Sequence, residues 1–165
     1  MADTIGVVVV THRAKHHLKE CLSPLISSPL RPRVLVVNSS SFDGTVEEAE
    51  RLGAETLVVP RSSFNHGSTR EKARKYLNTD IVVMMTPDAY AVHESLLERL
   101  LEPIIARKAS LAYARQVPRT GAGIFESFPR HFNYPPTSHI RGIKDVSLWG
   151  VYSFFCSNSC AAWLN

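Results

Sequence analysis

Short apolar runs alternate with stretches of helical periodicity along the first 115 residues. Four apolar runs, at 5–10, 34–37, 56–59 and 80–85, predict strands, and the β-branched residues of the first two fit strands buried between helical layers. Residues 18–25 and 96–104 carry leucines at helical spacing, and a fifth strand is predicted at 110–114. This alternation predicts an α/β fold, a mainly parallel sheet flanked by helices with right-handed crossovers.

Capping residues predict where two of the intervening helices begin. Thr45 with Glu48, and Ser68 with Glu71, have the spacing of capping boxes. Gly53 is placed to end the first of these helices, because glycine tolerates the left-handed backbone at a helix end.

The pattern loosens from residue 116 to residue 165. Aromatic, proline and basic residues are mixed between 125 and 141, and one apolar stretch covers 151–156. We assign no elements there, and we divide one domain into a sheet-forming part, 1–115, and a C-terminal part, 116–165.

The composition fits one globular domain, with 44% hydrophobic and 21% charged residues among 165. The sequence has no uninterrupted apolar run of about 18 residues and no basic leader, so we expect a cytoplasmic protein. Cys21, Cys156 and Cys160 fit reduced, buried thiols better than a redox pair between the last two.

The net charge of +4 favours an anionic partner, such as a nucleotide diphosphate or an anionic membrane surface. Basic residues are interspersed with acidic ones and are not grouped with aromatic residues. The charge pattern therefore does not favour nucleic-acid binding.

Polar residues follow three of the predicted strands, where the ligand crevice of a parallel α/β sheet lies. The candidates for binding are Thr11, His12, Arg13, Asn38, Ser39, Asp43 and Asp88. The alternative for each is an ordinary turn residue, and for Asp88 it is also a cap of the helix that follows.

Three segments resemble family 2 glycosyltransferases. Residues 37–45 (VNSSSFDGT) resemble the V-D-x-G-S-x-D-G-T turn of that family, and residues 10–13 (VTHR) resemble its P-T-Y-N-like first strand end. Residues 64–73 (FNHGSTREKA) resemble the F-x-H-G-x-T-R-N-x-A segment of bacterial rhamnosyltransferase-like members. Further similarity lies at 114–118, 128–135 and 154–158, so the resemblance covers nearly the whole chain and identifies it as the N-terminal, donor-binding portion.

The resemblance implies the Rossmann-like GT-A fold and a nucleotide-diphospho-sugar donor. Asn38 would contact base and ribose, while His66 and Arg70 would face the donor, Arg70 from a helix N-terminus that favours anions. The alternative interpretation of Arg70 is a residue on a solvated helix face. Asp88 matches the acidic motif that holds Mg²⁺ or Mn²⁺ against the donor phosphates, where a hard cation takes few carboxylates and acts as a Lewis acid.

The chain departs from the family pattern at several positions. Asn38 replaces an aspartate, Pro87 stands where a second acid is common, and Glu71 replaces an asparagine. The family's general base lies further downstream, so we expect a truncated acceptor side and leave the base unassigned. No motif supports Glu126 or Asp145 in that role.

The resemblance thus implies an inverting, metal-assisted transfer of a sugar such as rhamnose from a dTDP or UDP donor, in polysaccharide biosynthesis. The acceptor would be a saccharide or a lipid-linked saccharide, reached by peripheral association with the inner face of the membrane. A catalytically incomplete nucleotide-sugar-binding or assembly module is the alternative. A sugar-nucleotide nucleotidyltransferase is disfavoured, since residues 11–14 are not a glycine-rich loop.

Overall fold

The computed structural model describes residues 3–134, 137–140, 142 and 160–164. The strands are β1 (Ile5–Thr11), β2 (Arg33–Asn38), β3 (Glu55–Val58), β4 (Ile81–Met85), β5 (Leu111–Tyr113) and β6 (Cys160–Leu164). The α-helices are α1 (Lys15–Ile26), α2 (Thr45–Arg51), α3 (His66–Leu77), α4 (Leu96–Ile105) and α5 (Ile124–Asn133). A single 3₁₀ turn, Arg61–Ser63, precedes α3 within the described residues.

The strands form one sheet in the order β3-β2-β1-β4-β6-β5. The first four in this order are parallel, and Val9 of β1 lies between Val36 of β2 and Met85 of β4. β6 runs antiparallel to both of its neighbours, β4 and β5. The prediction of a mainly parallel α/β sheet flanked by helices is therefore confirmed.

Both faces of the sheet are covered, which explains why its central strands are continuously apolar. Val7 and Val9 of β1 pack into one core cluster with leucines of α1 and α4. Val8 and Val10 point the other way, into a second cluster that includes Leu77 of α3. Successive side chains of a strand alternate between faces, so a strand between two helical layers needs an apolar residue at every position.

The predicted capping box at Thr45 is wrong. Gly44 precedes α2 with a φ of 81°, and Thr45 is already the first helical residue and fully buried. Its hydroxyl donates to Asp43 Oδ1 at 2.6 Å and accepts from the backbone N–H of Ala14 at 3.1 Å. The hydroxyl thus ties α2 to the start of α1. The helix end was predicted correctly, since Gly53 follows α2 with a φ of 95°.

The predicted capping box at Ser68 is also wrong, because the N-cap of α3 lies three residues earlier, nearly one helical turn. Asn65 caps this helix, and its Oδ1 accepts hydrogen bonds from the N–H groups of Gly67 and Ser68 at 3.0 and 3.1 Å. Glu71 pairs with Arg74, with 2.8 Å between Oε2 and Nε. Asn65 and Ser68 are both residue types that favour N-caps, and α3 is capped by the first of them.

α5 and β6 were not predicted from the sequence. Asp145, Cys156 and the apolar stretch 151–156 lie outside the described residues. Cys21 is buried and free, as expected, and nothing described bears on a pair between Cys156 and Cys160. Among the described residues, no helix combines the length and the apolar character that crossing a membrane requires.

Candidate functional site

Three strand ends bring candidate residues to one edge of the sheet. β1 and β2 are in register up to their last residues, where Thr11 pairs with Asn38. On the other side of β1, Val9 pairs with Met85, the last residue of β4, from which the chain continues to Asp88. The carboxyl ends of parallel strands form the ligand crevice in α/β sheets, so the sequence-predicted candidates share the expected edge.

Thr11, Asn38 and Ser39 form a buried strand-end cluster at this edge, with exposures of 2%, 0% and 0%. The N–H of Ser39 donates to the carbonyl of Thr11 at 3.1 Å, and the Thr11 hydroxyl donates to the carbonyl of Val37 at 3.2 Å. These bonds join the ends of β1 and β2 beyond the regular ladder. The cluster thus forms the buried floor of the site, next to the exposed His12 and Arg13.

Asn38 has its side-chain amide bonded within the protein. Its Nδ2 donates to Ser41 Oγ at 2.7 Å, and its Oδ1 accepts from the N–H of Ser41 at 2.8 Å. Nδ2 also lies 3.4 Å from the Thr11 hydroxyl. Asn38 therefore shapes the turn after β2, and Ser41 is a residue of the site that sequence reasoning missed.

The Ser39 hydroxyl links the loops after β1, β2 and β3. It is hydrogen-bonded to Nδ1 of the exposed His12 at 3.0 Å and accepts from Arg61 Nη1 at 3.3 Å. The Arg61 guanidinium carbon also lies 5.7 Å from the centre of the Phe64 ring. Sequence reasoning missed Arg61, although it follows Pro60 at the end of the third strand, at the same edge.

The loops after β1 and β2 turn sharply through left-handed residues. Arg13 and Ser40 both have a φ of 51°, a conformation that non-glycine residues rarely adopt. Ser40 is held there by a hydrogen bond from its hydroxyl to the carbonyl of Val59 at 2.8 Å. The Arg13 side chain is exposed, so its charge is available to an anionic ligand.

Asp43 fastens the turn before α2 to the start of α1. Besides the bond from Thr45, its Oδ2 accepts from the N–H of Lys15 at 3.4 Å. Burial disfavours its charged form, but hydrogen bonds from Thr45, Ser41 and backbone N–H groups together lower the pKa of Asp43 to about 2. Asp43 is therefore an anion at neutral pH whose charge is already satisfied by the protein.

His66 and Arg70 lie on the first turns of α3. His66 is exposed and packs edge-on against Phe64, with 5.0 Å between ring centres. Arg70 is half-buried, and its Nε is buried with no hydrogen-bond partner among the described residues. A buried donor without a partner costs free energy, so Arg70 is the side chain in this region best prepared for an acceptor from a ligand.

Asp88 is exposed in the turn that follows β4, where the N–H of Ala89 donates to the carbonyl of Thr86 at 3.1 Å. Tyr90, two residues later, contacts Nδ1 of His17 on α1 through its hydroxyl. Burial, and then the nearby Asp88 carboxylate, raise the pKa of the Cys21 thiol to about 12. Asp88 therefore lies close to α1 and does not cap α4, which begins after Ser95.

The single carboxylate of Asp88 fits a hard cation that takes only a few of its ligands from the protein. In the part of the chain that is described, no three His, Cys, Asp or Glu side chains converge on a metal position. Mg²⁺ and Mn²⁺ are commonly held by one or two carboxylates, with phosphate and water oxygens completing the shell. One exposed carboxylate is consistent with that arrangement.

Comparison with known proteins decides the family. Residues 6–162 match the sequence profile of the family described as Glycosyl transferase family 2. The chain belongs to this family. The expectation drawn from residues 37–45 and 64–73 is thereby confirmed.

Two relatives of this family 2 chain come from Salmonella. The O-antigen chain rhamnosyltransferase WbaN of Salmonella anatum is 32% identical over 132 residues, which are 79% of this chain and 42% of the relative. The O-antigen chain rhamnosyltransferase RfbN of Salmonella typhimurium is 28% identical over 166 residues, 96% of this chain and 52% of the relative. The chain spans about half the length of these relatives.

Solved structures share the fold of this family 2 chain. The mannosyltransferase PcManGT of Pyrobaculum calidifontis, in complex with GDP-Man and Mn²⁺, superposes with a TM-score of 0.65 at 17% identity, over 99% of this chain and 45% of that one. Glucosyl-3-phosphoglycerate synthase of Mycobacterium tuberculosis, in complex with Mn²⁺, UDP and glucosyl-3-phosphoglycerate, gives 0.66 at 17% identity, over 98% and 57%. The GT-A fold is therefore confirmed.

Proposed function

We propose that this chain is the donor-binding part of a glycosyltransferase that transfers rhamnose or a related sugar from a dTDP or UDP donor. The observation that carries the proposal is the convergence of strand ends, where His12 and Arg61 meet at Ser39 and Asp88 follows β4 at the same edge. The Salmonella rhamnosyltransferases, at 32% and 28% identity, favour this sugar.

Two sets of side chains would hold the two ends of the donor. His12, Arg61 and Phe64 offer ring surfaces and donors to the base and ribose, above the floor of Thr11, Asn38 and Ser39. Arg13, His66 and Arg70 offer positive charge or N–H groups to the diphosphate. Asp43 acts indirectly, because it keeps the turn after β2 in place.

Asp88 would hold Mg²⁺ or Mn²⁺, and the cation would neutralise charge on the departing nucleoside diphosphate. Arg70 would assist from α3, since its Nε has no partner among the described residues and would donate to an oxygen anion without losing an existing bond. In an inverting reaction the acceptor hydroxyl attacks from the face opposite the leaving group, and a general base must sit on that side. We leave that base unassigned.

In this proposal residues 1–115 bind the donor, and residues 116–165 begin the acceptor side. The acceptor would be a saccharide, free or lipid-linked, and the protein would work in the cytoplasm at the inner face of the membrane. The alternative of a nucleotide-sugar-binding module without transfer activity is favoured by the internal bonding of Asn38, which withholds that amide from a ligand.

Titration calorimetry with UDP and dTDP, each with and without Mn²⁺, tests the proposal. We expect Mn²⁺ to strengthen binding and Asp88→Ala to abolish that gain while leaving metal-free binding unchanged. Glu102→Ala removes an exposed carboxylate on α4 and serves as the matched control. Absence of nucleotide binding would refute donor binding, and an unchanged Mn²⁺ gain in Asp88→Ala would refute the metal assignment alone.

Transfer assays separate the two functions. A chain that binds the donor with Mn²⁺, yet moves no sugar to any tested acceptor and does not hydrolyse the donor, would support the binding module. Transfer of rhamnose to a saccharide or lipid-linked acceptor would support the enzyme.

A further inference from the structure

The side-chain amide of Asn38 is closed to a nucleobase. Asn38 is fully buried, and both ends of its amide are hydrogen-bonded to Ser41, at 2.7 Å through Nδ2 and at 2.8 Å through Oδ1. Contact with base and ribose is what the resemblance to family 2 glycosyltransferases implies for this position. The edge of the base must therefore be recognised by other side chains at the same edge of the sheet.

Three polar groups surround the hydroxyl of Ser39, which has a single proton to donate. The hydroxyl oxygen lies 3.3 Å from the carbonyl oxygen of Thr11, 3.3 Å from Nη1 of Arg61 and 3.0 Å from Nδ1 of His12. A carbonyl can only accept a hydrogen bond, and a guanidinium can only donate one. The hydroxyl proton therefore goes to Thr11, and the hydroxyl oxygen accepts from Arg61.

The hydrogen bonds of Ser39 fix the tautomer of His12. Because the hydroxyl proton is used by Thr11, all three contacts are hydrogen bonds only if His12 donates from Nδ1. A neutral imidazole carries one N–H, so Nε2 is then an acceptor with a free lone pair. His12 is exposed, and its Nε2 has no hydrogen-bond partner among the described residues. The imidazole thus presents an acceptor to a ligand.

Arg61 places hydrogen-bond donors beside this acceptor. Its guanidinium and the imidazole of His12 are bonded to the same oxygen of Ser39, which keeps the two groups next to each other. Arg61 is exposed, and no carboxylate in the described part of the chain forms an ion pair with it. The ring of Phe64, 5.7 Å from the guanidinium carbon, supports the side chain. The site therefore offers an acceptor and donors side by side.

We infer that His12 and Arg61 select a donor nucleotide whose base has a ring N–H beside a keto oxygen. Uracil and thymine carry this pair, and so does guanine; the N–H would donate to Nε2 of His12, and the keto oxygen would accept from Arg61. Cytosine and adenine carry the opposite pair, a ring nitrogen lone pair beside an amino group, so both contacts become repulsive. The inference rests on the proposed function, since it concerns the base of a nucleotide-sugar donor.

Titration calorimetry with UDP and CDP tests the inference, because these two nucleotides differ only at this edge of the base. We expect CDP to bind at least about tenfold more weakly than UDP, since groups that give up water and find no partner weaken binding. His12→Phe keeps an aromatic ring but removes Nε2, and it should abolish the preference for UDP. His16→Phe, at an exposed position on α1, is the matched control and should keep the preference of the parent.

Ser39 is a positioning residue in this inference, because it acts through His12 and Arg61. Ser39→Ala should release the tautomer of His12 and lower the preference for UDP over CDP, whereas a purely structural loss would weaken both nucleotides equally. ¹⁵N NMR of the histidine ring reports the tautomer directly. We expect Nδ1 of His12 to be protonated and Nε2 to be unprotonated in the parent, and a mixture in Ser39→Ala. Ser62→Ala, at an exposed position, is the control and should leave the tautomer and the preference unchanged.

The outcomes separate this inference from the proposed function. Equal affinities of the parent for UDP and CDP would overturn base selection and keep donor binding. So would an unchanged preference in His12→Phe, or a parent in which His12 is protonated on Nε2 alone. Absence of binding to either nucleotide would remove the proposed function and the inference together.

Discussion

Asn38 and Ser41 satisfy each other at the turn after β2: the Asn38 amide donates to the Ser41 hydroxyl at 2.7 Å and accepts from the Ser41 N–H at 2.8 Å. Ser41→Ala removes the nearer of the two acceptors of the fully buried Asn38 amide and leaves the Thr11 hydroxyl at 3.4 Å. We expect the free energy of unfolding to fall by about 1–2 kcal/mol. Urea denaturation measures this, with the exposed Ser62→Ala as a control that stays within about 0.5 kcal/mol of the parent. Equal losses in both variants would contradict the assignment.

Asp43 should make stability depend on acid pH. The pKa of Asp43 is about 2 in the folded protein, below its ordinary value of 3.8, so the folded state binds fewer protons than the unfolded chain between these values. The stabilisation is full above pH 3.8 and is lost as the pH falls toward about 2. Urea midpoints across this range should fall more steeply for the parent than for Asp43→Asn. Glu47→Gln, at an exposed position on α2, the helix that follows Asp43, should follow the parent.

Gly6 allows β1 to lie against α3. A Cβ at this position would lie 2.7 Å from Thr79 Oγ1 and 2.8 Å from Leu77 Cδ1, both of which are side chains of buried residues. Gly6→Ala should lower the free energy of unfolding by about 1–3 kcal/mol, because the core must shift to admit the methyl group. Gly123→Ala places a methyl group in open space and is the control. Equal thermal midpoints for the two variants would show that the core yields without cost.

Tyr90 should act on the proposed metal site through the position of Asp88. Its hydroxyl contacts His17, so it anchors the loop 86–90 to α1. Tyr90→Phe removes that contact and should reduce the Mn²⁺-dependent gain in UDP or dTDP affinity about tenfold, as loss of an outer-shell partner does in metal sites. Metal-free nucleotide binding should not change. Tyr113→Phe, on the edge strand β5, is the control, and an equal effect in both would contradict a positioning role.

Much of this protein follows from its sequence. The central strands were predicted because burial between two helical layers requires an apolar residue at every strand position, as in β1 and β4. Gly53 was predicted as a helix end because the left-handed backbone there favours glycine. Parallel strands end at one edge, so the position of Asp88 beside the ends of β1 and β2 also followed from local pattern and topology.

The tertiary structure decided with which of several possible partners each polar group forms a hydrogen bond. Threonine is a residue type that favours helix N-caps. The Thr45 hydroxyl nevertheless donates to Asp43 and accepts from the N–H of Ala14, which is 31 residues away from Thr45 in the sequence. Arg61 reaches the Ser39 hydroxyl, and β6 enters the sheet between β4 and β5 from the far end of the chain. Periodicity and capping rules report on neighbours within a few residues, and these contacts join residues that only the packed sheet brings together.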